Sequence, residues 1–190
     1  MFLILIVYVL TLIIILITAN SLLGATLSGI SHTNGLHLFV NMYVFSSFVP
    51  PLFAVFGREE LMGIFLAGAT FSSLVSTMHK KLFSRTLVAS VGASGGLLSM
   101  IAILCVLYPD SKLSIAFVDR IIPHSFSSQS AVVGLVCFDV LGIILRWQVL
   151  DHAAHLGGVI FGMLYTKFGH KTYKEYRQKV IQFWHENVRK

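Results

Sequence analysis

Apolar residues in this chain occur in long runs that are separated by short polar segments. A helix needs roughly 17–25 predominantly apolar residues to cross the hydrocarbon core of a bilayer. Six runs have about this length, and six spans would leave both chain ends on the same side of the membrane. The pattern therefore predicts an all-α polytopic membrane protein, a bundle of six transmembrane helices. The predicted spans are Phe2–Ala19, His37–Phe56, Leu61–Met78, Val91–Tyr108, Ser130–Leu145 and His152–Phe168.

The first run, Phe2–Ala19, has two interpretations. It could be the hydrophobic core of a signal peptide, but no basic segment precedes it and it is long for that role. We favour a true membrane span. Because the chain starts directly in apolar sequence, we also expect that the N-terminus is truncated or that the first span is atypical.

Basic residues are distributed unevenly over the predicted loops. Ten of the fourteen Lys and Arg residues fall on the side of the two termini, seven of them from Lys167 onward. The positive-inside rule then places the termini on the cytoplasm-like side. The sequence divides into a membrane domain over residues 1–168 and a basic tail over 169–190. Between Lys171 and Lys190 we expect an amphipathic helix that lies on an anionic lipid surface.

Composition agrees with lipid as the solvent of most of the chain. Hydrophobic residues make up 56% of it, charged residues only 12%, and the mean hydropathy is +0.82. A soluble core of this length could not cover so much apolar surface. The net charge of +6 is unevenly placed, with half of the basic residues from Lys167 onward, and a basic tail after a last span is more typical of attraction to lipid, so nucleic acid is not an expected partner. Cys105 and Cys137 both lie in apolar runs, which argues against a disulfide framework or a zinc site, and no metal or cofactor is expected.

Two glycine-rich strings carry the candidate chemistry. One is Gly92-Ala93-Ser94-Gly95 at the start of the fourth span, and the other is His152-Ala153-Ala154-His155-Leu156-Gly157-Gly158 at the start of the sixth. In a six-span topology these two starts face the same side of the membrane. Ser94 could then act as a nucleophile and His155 as the general base that takes its proton.

Small residues around this pair indicate how the two helices could approach each other. Gly158 and Gly162 lie at i+3 and i+7 from His155, and Gly92 and Gly96 flank Ser94. Small residues let membrane helices pack with their backbones close together. Glycine and serine are common in membrane helices, so either string alone would be a weak signal.

His37 and Asn41 open the second span from that same side. Their i, i+4 spacing puts both side chains on one helix face, where they could donate hydrogen bonds to an oxyanion. The alternative is that His37 sits at the membrane interface and that Asn41 bonds a neighbouring helix.

Two more polar residues have open roles. Asp139 lies in the middle of the fifth span and could orient a histidine and so complete a triad, although we favour a structural tie to a neighbouring helix. His152, one turn before His155, is either an accessory group at the mouth of the site or an interfacial residue.

These strings resemble the rhomboid intramembrane serine proteases over about Ser31 to Phe168, and most closely the mitochondrial presenilin-associated rhomboid-like branch. The resemblance implies Ser94 as nucleophile, His155 as general base and His37 with Asn41 as oxyanion-hole groups. It also implies single-pass transmembrane proteins as substrates and a multi-pass location in the mitochondrial inner membrane. The matching strings are His37-x-x-x-Asn41, Gly92-x-Ser94-Gly95 and Ala154-His155-Leu156-Gly157-Gly158-x-x-x-Gly162.

Two other functions remain open. A rhomboid-like pseudoprotease would bind membrane proteins without cutting them, but such relatives usually lack the serine or the histidine. A small transporter would be expected to carry internal repeats with broken spans at matching positions, and none is visible. The sequence does not indicate an oligomeric state.

Overall fold

The computed structural model describes residues 22–84, 92–114, 125–148 and 150–188. The predicted span Phe2–Ala19 lies outside these ranges. Within them the chain is mostly helical, with one pair of two-residue antiparallel strands, Lys112–Leu113 and Phe126–Ser127. The helices are α1 Leu22–Ser28, α2 Gly35–His79, α3 Ser94–Leu107, α4 Ser128–Ile144, α5 His152–Leu164 and α6 His170–Asn187. A π-helical turn, Lys80–Ser84, follows α2, and another, Tyr165–Gly169, joins α5 to α6.

The second and third predicted spans are the two arms of α2. The side chain of Asn34 caps the first turn by accepting a hydrogen bond from the backbone N–H of His37. Gly57 separates the arms, with φ 74° and ψ 177°, a conformation that a residue with a Cβ rarely adopts. Helical geometry is retained through Pro50 and Pro51, so the break comes after both prolines.

Among the described residues, one helical stretch is long and apolar enough to cross a membrane, Gly35–Phe83. The helices α3 and α4 are apolar but shorter, and the number of six spans stays a prediction. Many large apolar side chains face outward, including Phe39, Val133 and Ile144, each more than half exposed. An outer surface of this kind suits lipid as the surrounding solvent.

Helix α3 lies at the centre of the packing. Every residue from Gly95 to Cys105 is buried, because α2, α4 and α5 all pack around this helix. One apolar cluster joins it to α2 through residues such as Leu52 and Ile64, and another joins it to α4 and α5 through Val132 and Val159. The N-terminus of α3, where Ser94 lies, is therefore fixed by three neighbours.

Helix α6 covers most of the segment for which a tail helix was predicted. None of its residues from His170 to Asn187 is buried. Its large side chains Tyr176, Val180, Phe183 and Trp184 are all more than half exposed. The expected contact of this helix with a lipid surface stays a prediction, as does the domain boundary at residue 168.

Candidate active site

Ser94 and His155 lie in hydrogen-bond contact. Ser94 is the first residue of α3, and His155 is in the first turn of α5. The distance between Ser94 Oγ and His155 Nε2 is 3.2 Å. A hydroxyl whose oxygen faces an imidazole nitrogen at this distance can give up its proton as it attacks a carbonyl carbon.

Glycines on α5 allow this contact by bringing α3 and α5 together at backbone distance. A Cβ added to Gly158 would lie 2.3 Å from the carbonyl oxygen of Gly95, and one added to Gly162 would lie 2.3 Å from that of Ser99. Gly95 is equally confined, since its Cβ would meet Ser72, whose hydroxyl donates to the carbonyl of Ala154. A larger residue at Gly158 or Gly162 would push α3 and α5 apart, and one at Gly95 would push α3 away from α2.

A glycine turn places His37 beside the serine. Gly92 has φ +141°, and its N–H donates to the carbonyl of Ser28 at 2.9 Å. A Cβ at Gly92 would lie 2.7 Å from His37 Cε1 and 3.0 Å from Nε2. The turn that leads into Ser94 therefore rests against the imidazole of His37, and only glycine fits there.

The hydrogen bonds of His37 indicate which nitrogen carries its proton. The backbone N–H of Thr33 donates to His37 Nδ1, and the Thr33 hydroxyl lies 3.0 Å from the same atom. Because Nδ1 accepts, the proton of a neutral ring is on Nε2. Nε2 lies beside the turn at Gly92 that leads into Ser94.

Asn41 lies one turn after His37 on α2, on the same helix face. It is only 4% exposed, and its Nδ2 has no hydrogen-bond partner among the residues the structure describes. An unpaired buried donor costs roughly 1–3 kcal/mol. That cost is relieved when an acceptor enters, and among the described residues Nδ2 is not bonded to a neighbouring helix.

His32 adds a further ring next to His37. It lies in the turn before α2, and the centroids of the two rings are 5.4 Å apart in an edge-on arrangement. Burial, together with the neighbouring His37 imidazole, holds the pKa of His32 below its usual value. His32 is therefore favoured in its neutral form beside the site.

Asp139 lies behind His155 and contacts both histidines of α5. This carboxyl group is completely buried, and its Oδ1 is 2.8 Å from His152 Nδ1 and 3.2 Å from His155 Nδ1. The sequence favoured a structural contact between Asp139 and a neighbouring helix, and the hydrogen bond with His152 of α5 is such a contact. The other alternative, a carboxylate that faces the candidate base, is present as well. The three side chains offer ligand atoms within 4.8 Å of one another, close enough for a metal ion, but hydrogen bonds already account for their arrangement.

Two anchoring groups were not identified from the sequence. Asp151 caps α5 by accepting from the N–H of Ala154 at 3.1 Å, and its Oδ2 accepts from Ser76 and Lys80, each at 2.6 Å. The available signal was an acidic residue directly before an apolar run, which is typical of a helix N-cap.

The second anchor is Glu60, a residue of α2 that contacts the chain just beyond the C-terminal end of α5. Its Oε1 accepts from Tyr165 at 2.7 Å and lies in contact with His170 Nδ1. The carboxyl group is 5% exposed and therefore depends on these two partners.

Comparison with known proteins identifies the family. The model of the Rhomboid domain matches residues 19–172. The chain is 39% identical over 164 residues to presenilin-associated rhomboid-like protein A, mitochondrial, of Danio rerio, which covers 86% of this chain and 42% of that protein. The corresponding human protein, presenilin-associated rhomboid-like protein, mitochondrial, is 34% identical over 84% of this chain and 41% of its own length. Rhomboid protein 1, mitochondrial, of Saccharomyces cerevisiae is 31% identical over 82% and 44%.

The chain thus spans about two fifths of the length of the curated relatives it matches. No solved structure matches it. The matched region contains α1 to α5 and with them every residue of the site described above. The chain belongs to the rhomboid family.

Proposed function

We propose that this protein is an intramembrane serine endopeptidase that cleaves single-pass transmembrane proteins. The observation that carries the proposal is the 3.2 Å separation of Ser94 Oγ and His155 Nε2 at the partly buried junction of α3 and α5. A paired serine and histidine are the parts that acyl transfer needs, and a binding protein or transporter has no use for them.

In the proposed reaction His155 Nε2 takes the proton of Ser94 as Oγ forms a bond to the carbonyl carbon of the scissile peptide. The carbonyl oxygen becomes an oxyanion. When the tetrahedral intermediate collapses, the carbon–nitrogen bond breaks and His155 returns the proton to the leaving amine. A water molecule, activated by the same histidine, then releases the acyl group from Ser94.

The oxyanion in this proposal is stabilised by donors from α2 and α3. His37 Nε2–H and Asn41 Nδ2 are the side-chain candidates, since neither is committed to another acceptor in the described part of the chain. The backbone N–H of Ser94 is a further candidate, because it belongs to the first turn of α3 and has no carbonyl partner within that helix.

We extend the proposal to location and surroundings. The relatives named above are mitochondrial proteins by name, so we place this chain in the mitochondrial inner membrane as a multi-pass protein. With six spans, the N-terminal ends of α3 and α5, which carry Ser94 and His155, would lie at the same side of the membrane. The exposed aromatic and apolar side chains of α6, flanked by lysines, would lie on anionic lipid. Substrates would be cut near a helix-destabilising stretch that carries small residues.

A fluorophosphonate probe tests the proposal directly, because it forms a covalent bond only with an activated serine. The purified protein should be labelled, and Ser94→Ala and His155→Ala should each abolish labelling and cleavage of a model transmembrane substrate. The losses of activity in the two single variants should not add up in the double variant, since both residues belong to one catalytic unit.

Ser47→Ala and His185→Ala are matched controls. Both residues are exposed and lie outside the site, so these variants should be labelled like the unchanged protein. If a folded protein, checked by its thermal unfolding, neither reacts with the probe nor cleaves any transmembrane substrate, the protease proposal is wrong. A protein that still binds such substrates would then be a pseudoprotease.

A further inference from the structure

Asp139 is a buried carboxyl group that the serine–histidine chemistry does not explain. It lies in the middle of α4, and none of its surface is exposed. A buried carboxylate is costly unless hydrogen bonds compensate for the lost hydration. Both of its histidine contacts come from α5, at 2.8 Å for His152 and 3.2 Å for His155.

For an ionised Asp139, the direction of both hydrogen bonds is determined. A carboxylate can only accept, so each histidine that bonds Oδ1 does so through a proton on Nδ1. A neutral His155 with its proton on Nδ1 has a lone pair on Nε2. This is the nitrogen that faces Ser94 Oγ, and a lone pair at that position is what a general base requires.

His152 holds the carboxylate in place for this purpose. Its bond to Oδ1 is the shorter of the two, and the ring is 4% exposed. The rings of Phe138 and Trp147 pack around it, with centroids 5.4 and 6.1 Å away. A rigid His152 therefore fixes Asp139, and Asp139 in turn fixes the ring of His155.

We propose that Asp139 is a positioning residue that sets the tautomer and the ring orientation of His155, and that His152 holds Asp139 in place. This inference rests on the proposed function of Ser94 and His155. A purely structural role is the competing explanation, in which Asp139 only ties α4 to α5 through His152.

Asp139→Asn separates the two explanations, because it preserves the shape of the side chain and removes its charge. An amide can also donate to His155 Nδ1, which would stabilise the tautomer with the proton on Nε2. We expect kcat and the rate of fluorophosphonate labelling to fall by about 10²–10⁴-fold, with KM changed by less than about threefold. Asp110→Asn, at an exposed carboxylate, is the matched control and should keep full activity.

His152→Leu completes the design. It removes the hydrogen bond between His152 and Asp139 and leaves the one between Asp139 and His155. We expect it to lower the thermal unfolding temperature and to reduce kcat by no more than about tenfold. If both variants lower the unfolding temperature while kcat stays within about threefold of the unchanged protein, the carboxylate acts only as a tie and the inference is wrong. It is also wrong if Asp139→Asn keeps kcat within about threefold while Ser94→Ala is inactive, and in that case the proposed function stands.

A measurement on the unchanged protein does not depend on how the variants fold. Nitrogen-15 NMR of histidine-labelled protein, with the His155 signals assigned from His155→Ala, reports which ring nitrogen carries the proton. We expect Nδ1 to be protonated and Nε2 unprotonated at neutral pH. A proton on Nε2 of neutral His155 would overturn the inference. If Ser94→Ala were as active as the unchanged protein, the proposed function itself would fail.

Discussion

Replacing Gly158 by alanine tests whether the close approach of α3 and α5 sets the geometry of the site. The new Cβ would lie 2.3 Å from the carbonyl oxygen of Gly95, whereas ordinary contact begins near 3.4 Å. This carbonyl cannot turn away, because it belongs to α3 and accepts a hydrogen bond from Ser99 at 2.9 Å. The helices must therefore separate by about 1 Å near this point.

A shift of this size is large for the catalytic contact. Ser94 directly precedes Gly95, and His155 lies one turn before Gly158, so most of the movement reaches the pair. The distance from Ser94 Oγ to His155 Nε2 would grow from 3.2 Å to about 4 Å, beyond hydrogen-bond reach. We expect cleavage to slow by about 10²-fold. Overpacking should lower the free energy of unfolding by about 1–3 kcal/mol.

The assay follows labelling of Ser94 by a fluorophosphonate, cleavage of a transmembrane substrate and thermal unfolding in the same preparation. Gly134→Ala is the matched control, because among the described residues a Cβ at that position meets no atom within 4 Å beyond the neighbouring backbone of its own helix. It should leave activity unchanged and raise stability by up to about 1 kcal/mol. If Gly158→Ala keeps labelling and cleavage within about threefold of the unchanged protein, helix separation does not govern the site and the reasoning is refuted.

Three further predictions concern residues around the pair. Asn41→Ala should reduce kcat by about 10²–10³-fold at most, with little change in thermal unfolding, if its amide binds the oxyanion; an unchanged kcat would exclude that role. Gly92→Ala should lower the unfolding temperature and slow labelling of Ser94, because the turn has φ +141° and the new Cβ would meet His37; normal labelling would contradict this. Glu60→Gln should cost about 1–3 kcal/mol of stability, since a buried carboxylate with two donors loses its charge. Labelling measured well below the unfolding temperature should stay the same in Glu60→Gln, and a parallel loss would link Glu60 to the chemistry.

The contact between Ser94 and His155 was predictable from sequence for a physical reason. Small residues at i+3 and i+7 from His155 mark the face of α5 that packs closest, and the two strings open helices expected to enter from one side. The helices α3, α4 and α5 also lie where the apolar runs predicted spans, to within a few residues at most boundaries. Length and apolarity are enough to predict such helices.

Rotation of a helix about its axis was not predictable where every face is apolar. Helix α4 carries Asp139 among apolar residues on all sides, so no polar stripe shows which way the carboxyl group faces. Its contact with both His152 and His155 therefore emerged only from the packing. The joint at Gly57 was predictable, because it falls between the predicted spans His37–Phe56 and Leu61–Met78, at a residue that adopts a positive φ readily.

Both ends of the helix that carries His155 are attached to the second arm of α2. At its start Asp151 binds Ser76 and Lys80, and just beyond its end Tyr165 contacts Glu60. Charge-assisted hydrogen bonds in partly buried positions are directional, so two such attachments fix the axial position of α5 as well as its distance from α2. The contacts of Gly158 and Gly162 with α3 then fix the separation between α3, which carries Ser94, and α5, which carries His155. The position of His155 thus depends on three independent restraints, and because no single one sets it alone, a substitution at Asp151 or Glu60 should reduce stability before it reduces catalysis.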